Sequence, residues 1–392
     1  PGGGGWYDKD VNAYATLQTG IVSGGTGTRY VFTGWSGDAS GTGLTSNPIL
    51  MNGPKTAIAN WKTQYQFSVT SSGLPNTVSF TFKYGTSSPP TTLRTVTGGS
   101  MWTSDWYDSG TQIYFQIDSA SQAINDPSIA GKRYSFASWS QSSPITLNSY
   151  ITLTANYGTQ YRLIVESDHD SPVPVGTNWY DSGTLVTCTV TSPADNDGVG
   201  TRYSCASYTL DGTTNPAATF SVPITMNAPH TLRWNWVPQY YLTVNTYPLG
   251  LDAPSGEGWH DGGTNAPISV STVSGYTFQY WYLDGQQGTP YSFSMSTTVA
   301  INAPHTATAY YKLPSTISIS CDPSSITFGS STTINGSIDP THSNVQVTLS
   351  YSTDGGSTWI AFMVVYTDST GNYSTSWRPP STLAYSLRAS WN

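Results

Sequence analysis

The stretch MNAPHTLRWNWVPQYYLTV, Met226–Val244, occurs in this chain in several versions. Met51–Val69 reads MNGPKTAIANWKTQYQFSV and Leu147–Val165 reads LNSYITLTANYGTQYRLIV. A further version, INAPHTATAYYKLP, opens at Ile301. Two other anchors recur around this one in constant order. The first is an aromatic pair followed by aspartate: Trp6-Tyr7-Asp8, Trp106-Tyr107-Asp108, Trp179-Tyr180-Asp181 and Trp259-His260-Asp261. The second is RYVFTGW at Arg29, KRYSFASW at Lys132, TRYSCASY at Thr201 and GYTFQYW at Gly275. A three-part pattern repeated in fixed order marks tandem homologous modules.

Each copy reads as strands. QYQFSV, QYRLIV and QYYLTV alternate, which places Tyr65, Phe67 and Val69 on one face, and likewise Tyr161, Leu163, Val165 and Tyr240, Leu242, Val244. A Pro/Gly loop follows, then a strand after the Trp-Tyr-Asp turn, then the RYSFASW strand. TLTANY or TLRWNW closes the unit. The MN-x-P turn before that last strand has φ fixed by proline. Modules of this length and strand count are expected to form small sandwiches or barrel-like sheets.

Composition agrees. Only 9% of the residues are charged, so the polarity behind a mean hydropathy of -0.29 comes from Ser, Thr, Asn, Gln and Gly. Glu occurs only at Glu166 and Glu257, and the 38 Gly and 25 Pro punctuate the chain too often for long helices. The 14 basic residues are scattered through a chain of net charge -8, which excludes a phosphate-neutralising patch and with it a nucleic-acid partner. No apolar run reaches the roughly 20 residues that span a bilayer as a helix. Few Lys and Glu with many Ser, Thr and Tyr point to an extracellular or cell-surface location.

The anchors resemble β-repeat modules of archaeal and bacterial surface proteins, which read F-x-G-W-S-G followed by M-x-x-P-x-T-x-x-A-N-W/F and are related to the B-repeats of internalin-like adhesins. Phe32-Thr33-Gly34-Trp35-Ser36-Gly37 with Met51 to Trp61 carries the likeness most fully, and it extends over residues 1–311. The resemblance implies a fold and a location but no chemistry. Residues 313–392 form alternating strands with Gly-, Asp- and Asn-rich turns and resemble the immunoglobulin-like domains found in the same surface proteins. The expected architecture is therefore all-β: an elongated rod of small β-sandwich modules with a C-terminal immunoglobulin-like sandwich. Its divisions are 1–63, with the first strand missing, 64–159, 160–238, 239–312 and 313–392.

Cys188 lies nine residues after Trp179, where the second module has Phe115 after Trp106; Cys205 aligns with Phe136, Phe32 and Phe278. Two core positions that hold aromatics in one module hold cysteines in the next, so a Cys188–Cys205 disulfide is expected. It would close a loop of about 18 residues, contribute on the order of 3 kcal/mol, and fit an oxidising exterior. Cys321 is left over and reads as a small core residue.

A catalytic constellation is not found, and the expectation is a protein that is not an enzyme and holds no cofactor. His230 and His305 occupy one module position beside Pro229 and Pro304, where the first module has Lys55; a turn residue explains that pattern. Asp108, Asp181 and Asp261 precede Ser-Gly or Gly-Gly and read as Asx-turns. ADNDGVG, with Asp195 and Asp197, and ESDHD, with Asp168 and Asp170, have the look of calcium loops but lack the terminal glutamate of an EF-hand. Ser352-x-Asp354-x-Gly356-x-x-Trp359 has the spacing of an Asp-box and is expected to shape a hairpin. Trp35, Trp139, Tyr208 and Trp281 recur at one position and are assigned to the core. Asn335-Gly-Ser337 and Asn372-Tyr-Ser374 are sequons, expected to carry glycans on an exported protein.

The first module starts inside the loop that elsewhere follows a QYxLxV strand, so its order requires a strand from outside residues 1–63. The last domain stops at LRASWN, where similar domains add a strand. The chain is either a piece of a longer protein or a subunit completed by a strand lent from another, and the latter builds a filament. The function expected is a structural subunit of an extracellular filament or surface layer, archaeal in type, joined head to tail as a homopolymer by donor-strand complementation. The alternatives are an adhesin or carbohydrate-binding stalk, and the non-catalytic part of a secreted enzyme whose catalytic domain lies elsewhere.

Overall fold

The computed structural model describes residues 1–216 and 219–391. Its regular elements there are strands, with one short 3-10 turn at Ser119–Ser121. The chain divides into two compact units, Pro1–Ala194 with Ser204–Trp236, and Asp195–Tyr203 with Val237–Asn392.

The second module, in the first unit, displays the plan. One sheet runs Ala123–Asn125, Lys132–Trp139, Ile151–Glu166, Phe67–Ser72, Met101–Thr103; the other runs Ile145–Thr146, Gln112–Ile117, Ser79–Gly85, Thr92–Thr97. Phe67, Val69, Phe80, Phe82, Ile113, Leu147, Leu153 and Ala155 fill the space between them. Alternation explains the filling: Leu153, Ala155 and Tyr157 point inward while Thr152, Thr154 and Asn156 point out.

The opening strand of this module lies parallel to its closing strand, Phe67 opposite Ile151 through Ser72 opposite Asn156. A parallel neighbour cannot be reached by a hairpin. The intervening chain therefore makes a long excursion, which supplies the whole second sheet and the remaining strands of the first. The third module repeats the arrangement, Leu163 opposite His230 through Glu166 opposite Arg233. In the second unit the fourth module does so again, Leu242 opposite His305 through Tyr247 opposite Tyr310.

No linker separates the second module from the third. Ile151–Glu166 is one strand: its first half closes the second module and its second half opens the third. Leu153, Ala155 and Tyr157 enter one core, and Leu163 and Val165, in phase with them, enter the next. His230–Tyr247 is built likewise, with Leu232 and Trp234 in the third core and Leu242 and Val244 in the fourth. Ala57–Tyr65 and Phe67–Ser72 are interrupted at Gln66 alone.

The first module is the exception. Its closing strand Ala57–Tyr65 pairs antiparallel with Thr28–Gly37 on one edge. Among the described residues nothing pairs with residues 57–61 on the edge that an opening strand occupies elsewhere. Ala57 is exposed and Ala59 and Trp61 are half-buried, whereas their counterparts Leu153, Ala155 and Tyr157 are buried. The core is correspondingly small: Ala15, Trp35, Ala39 and Ile49.

The C-terminal domain is a two-sheet sandwich. Thr332–Asp339 has Thr316–Ile317 and Ser320–Asp322 on one edge and Asn372–Trp377 on the other. Gln346–Ser352 lies between Ile360–Tyr366 and Ser386–Trp391 in the second sheet. Ile334, Ile338, Val347, Leu349, Tyr373 and Trp377 form the core.

Candidate functional site

Wherever one module runs into the next, the same four side chains meet. Arg29, Gln64 and Asp108 lie side by side on three neighbouring strands. Arg29 donates from Nε to Gln64 Oε1 at 2.8 Å, and Gln64 donates from Nε2 to Asp108 Oδ1 at 2.7 Å. The Arg29 guanidinium lies 4.5 Å from the ring centroid of Trp106, two residues before the aspartate. The next joint repeats this: Arg133 to Gln160 at 2.8 Å, Gln160 to Asp181 at 2.9 Å, and Arg133 4.3 Å from Trp179. The third, inside the second unit, has Arg202 to Gln239 at 2.8 Å, Gln239 to Asp261 at 2.8 Å, and Arg202 4.3 Å from Trp259.

The geometry follows from strand periodicity. Residues directly opposite on adjacent strands are within side-chain reach, so Arg, Gln and Asp form a row across the sheet. The tryptophan, two positions from the aspartate, is on the same face. Glutamine is suited to the centre because its amide accepts from the arginine and donates to the carboxylate. The planar guanidinium can donate and stack at once, which lysine cannot. In the first joint Lys62 also reaches Asp108, at 2.9 Å. The Gln64 amide, then this ammonium, hold the Asp108 carboxyl below the usual carboxylate range.

A second contact accompanies the first. Gly27, Gly131 and Gly200 each precede the arginine by two residues, and all have positive φ. Their carbonyls accept from the amides of Gln66, Arg162 and Tyr241 at 3.0, 2.8 and 2.9 Å. A Cβ on Gly131 would lie 2.9 Å from Pro229, one on Gly200 3.0 Å from Pro304, and one on Gly27 inside the ring of Tyr150. The glycine lets the MN-x-P turn of the following module settle against the backbone of the one before.

The three aspartates thus do other work than the Asx-turns expected of them: their carboxylates cross to the neighbouring strand. The histidines serve the turns as expected. His230 Nδ1 meets Asp211 Oδ2 at 2.6 Å, and His305 Nδ1 meets Asp284 Oδ2 at 2.8 Å. Lys55 and Asp38 form the same pair at 3.4 Å.

The remaining candidates are dispersed. Cys188 and Cys205 share the third core, as inferred, but all three cysteines are free, so the expected bridge is not formed. Burial pushes the Cys188 thiol up to about 11. Asp168 accepts from Arg233 at 2.6 Å and Asp170 from the Thr191 amide at 2.5 Å. Asp197 caps the amides of Val199 and Thr201, both at 2.8 Å, and Asp195 occupies the same loop with φ 50. Among the described residues no group of three or more His, Cys, Asp or Glu could hold a metal ion. Asp354 accepts from Ser352 at 2.6 Å and from the Thr358 amide at 3.0 Å, which folds the Asp-box into its hairpin. The two sequons face each other across one antiparallel pair: Asn335 is opposite Ser374, and Ser337 is opposite Asn372.

Fold and joints define a tandem β-sandwich repeat protein whose modules share strands. Two stretches of the chain, residues 1–65 and 249–315, match the family model of the divergent InlB B-repeat domain, a surface β-repeat. The second stretch begins just after the His230–Tyr247 strand that opens the fourth module and runs through the closing strand, His305–Lys312. No curated protein and no solved structure matches the chain.

Sequence reading missed the joints. The signal was present as R-Y, Q-Y and W-[Y/H]-D recurring together three times. It fails in one place: Gly275 stands where the fourth module would carry the arginine.

Proposed function

We propose that this chain is a non-catalytic structural element of a cell surface, exported and assembled head to tail into a filament or surface layer of archaeal type. In this reading the C-terminal sandwich is an immunoglobulin-like domain of the same assembly, and its paired sequons carry glycans. The repeat match supports the surface location, and the shared strands Ile151–Glu166 and His230–Tyr247 support a load-bearing role, because a pull along the chain is met there by ladders on both edges.

One observation carries the assembly. Residues 57–61 offer an unpaired edge over a small core, and Trp6 is 104% exposed while the tryptophans of the three joints are half-buried under arginine. Both lack the same neighbour: a strand reading Q-Y-x-Φ-x-Φ with an arginine beside it. In the register of the other modules its first apolar residue sits opposite Lys55 and its second opposite Ala57. We assign this strand to another copy.

The test is electron microscopy and light scattering of the full chain across a concentration series, with the peptide QYRLIV as competitor. Concentration-dependent filaments that the peptide shortens and a scrambled peptide does not support the proposal. A protein that stays monomeric sinks the polymer, and peptide binding by that monomer would assign the edge to a neighbouring segment of the same polypeptide.

A further inference from the structure

The outer face of the fourth module departs from its siblings at three neighbouring positions. In the second module Asn156 lies between Ser138 and Ser72 on adjacent strands. In the third, Asn235 donates to Ser207 at 3.0 Å, and in the first, Asn60 lies opposite Gly34. The fourth module has Tyr310 in place of the asparagine, with Tyr280 opposite on one side and Tyr247 on the other. The rings stack, Tyr247 on Tyr310 at 5.5 Å and 10°, Tyr310 on Tyr280 at 5.3 Å and 25°. Phe293 extends the row, edge-on to Tyr280 at 6.3 Å. Its segment lies beside the Thr277–Leu283 strand through the Trp281–Ser292 bridge.

A cross-strand aromatic row can simply strengthen a sheet. Three features go beyond that. The scaffold closes with Asn and Ser at these positions in other modules, so the fold does not require aromatics. The ends of the row stay open, Tyr247 at 48% and Phe293 at 74% exposure. None of the four side chains is charged, and the three phenols make no hydrogen bond to other described residues, which leaves them available to a ligand rich in hydroxyls. The open ring faces at the two ends of the row, with the ring edges and phenol tips between them, suit a partner that is apolar on its faces and wet at its rim. The ring-to-ring step is close to the length of one pyranose unit in an extended chain.

We infer that the row Tyr247, Tyr310, Tyr280, Phe293 is a binding surface for an extended, neutral oligosaccharide. The sugar rings lie across the strands, against the ring edges and the open end faces, with the phenol groups bonding their hydroxyls. The inference does not depend on the assembly proposed above.

Titration calorimetry of the full chain with cellohexaose, chitohexaose and mannohexaose, followed by a surface-glycan array, tests it. At least one neutral oligosaccharide is expected to bind, more tightly as it lengthens from trimer to hexamer. The triple variant Tyr247→Ser, Tyr280→Ser, Tyr310→Asn adopts the second module's own residues and is expected to keep its fold by circular dichroism while losing at least tenfold in affinity. A folded triple variant that binds like the native chain overturns the inference, as does an array without a hit. Loss of self-association instead of sugar binding in that variant overturns it too, and assigns the row to contacts between copies.

Discussion

The guanidinium of Arg133 rests 4.3 Å from the ring centroid of Trp179, a residue of the following module. Its Nε simultaneously donates to Gln160, on the strand the two modules share. A half-buried cation on an indole is worth about 1 kcal/mol, and each hydrogen bond to the central glutamine about as much.

A double-mutant cycle of Arg133→Ala and Trp179→Ala, read by urea denaturation, should therefore show coupling of about 1 kcal/mol. Arg133→Lys should recover little of it, since an ammonium does not donate sideways and stack together. Strict additivity of the two single changes would mean that the stack contributes nothing to the joint.

Gly131 and Gly183 have nearly equal φ, +81 and +86, but a Cβ on Gly131 strikes Pro229 whereas one on Gly183 meets nothing within 4 Å. Alanine at either pays the left-handed backbone cost of about 1 kcal/mol. Gly131→Ala should be the more damaging by a further ~1 kcal/mol or more. Equal melting temperatures for the two variants would show that the glycine–proline contact is not tight.

Asp126 accepts from the Tyr134 hydroxyl at 2.7 Å, from the Ser128 amide at 2.8 Å, and from Lys132 at 3.1 Å. The tyrosine first, then the amide, hold its carboxyl down to about 2. A depressed carboxyl contributes stability that is present above the unfolded value and lost as pH falls toward the folded one. The chain should accordingly lose stability between about pH 4 and 2. Asp126→Asn should lower stability at neutral pH and flatten that limb; an unchanged acid profile would remove this residue from its cause.

Cys188 is buried with its thiol raised to about 11, whereas Cys321 is only half-buried. At pH 8 a thiol reagent should label Cys321 first and leave Cys188 untouched until the protein unfolds. Denatured, unreduced protein should titrate three thiols. A single thiol would instead mean that the Cys188–Cys205 bridge inferred from the aligned phenylalanines forms after all.

Much of the fold was legible because strand patterning is local. Leu163 and Val165, or Leu242 and Val244, announce their inward faces by alternation alone, and Trp35 and Trp281 announce core positions by recurring in register. The joints were not legible from any one segment. Arg133 looks like a strand residue, Gln160 like polar filling and Asp181 like a turn former. Their shared role exists only where three strands lie side by side. The tyrosine row had the same obscurity: Tyr247, Tyr280 and Tyr310 stand far apart in the chain, and each is ordinary in a strand.

The sequence by itself determined that this is an all-β chain of repeated modules, since period-two alternation and turn residues act within a few positions of one another. Tertiary structure alone decided that neighbouring modules share strands, that opening and closing strands run parallel, and that an arginine, a glutamine, an aspartate and a tryptophan meet at each joint. Those facts depend on which edge pairs with which and in what register, and the choice is made by burying several apolar faces together rather than by any residue's local preference.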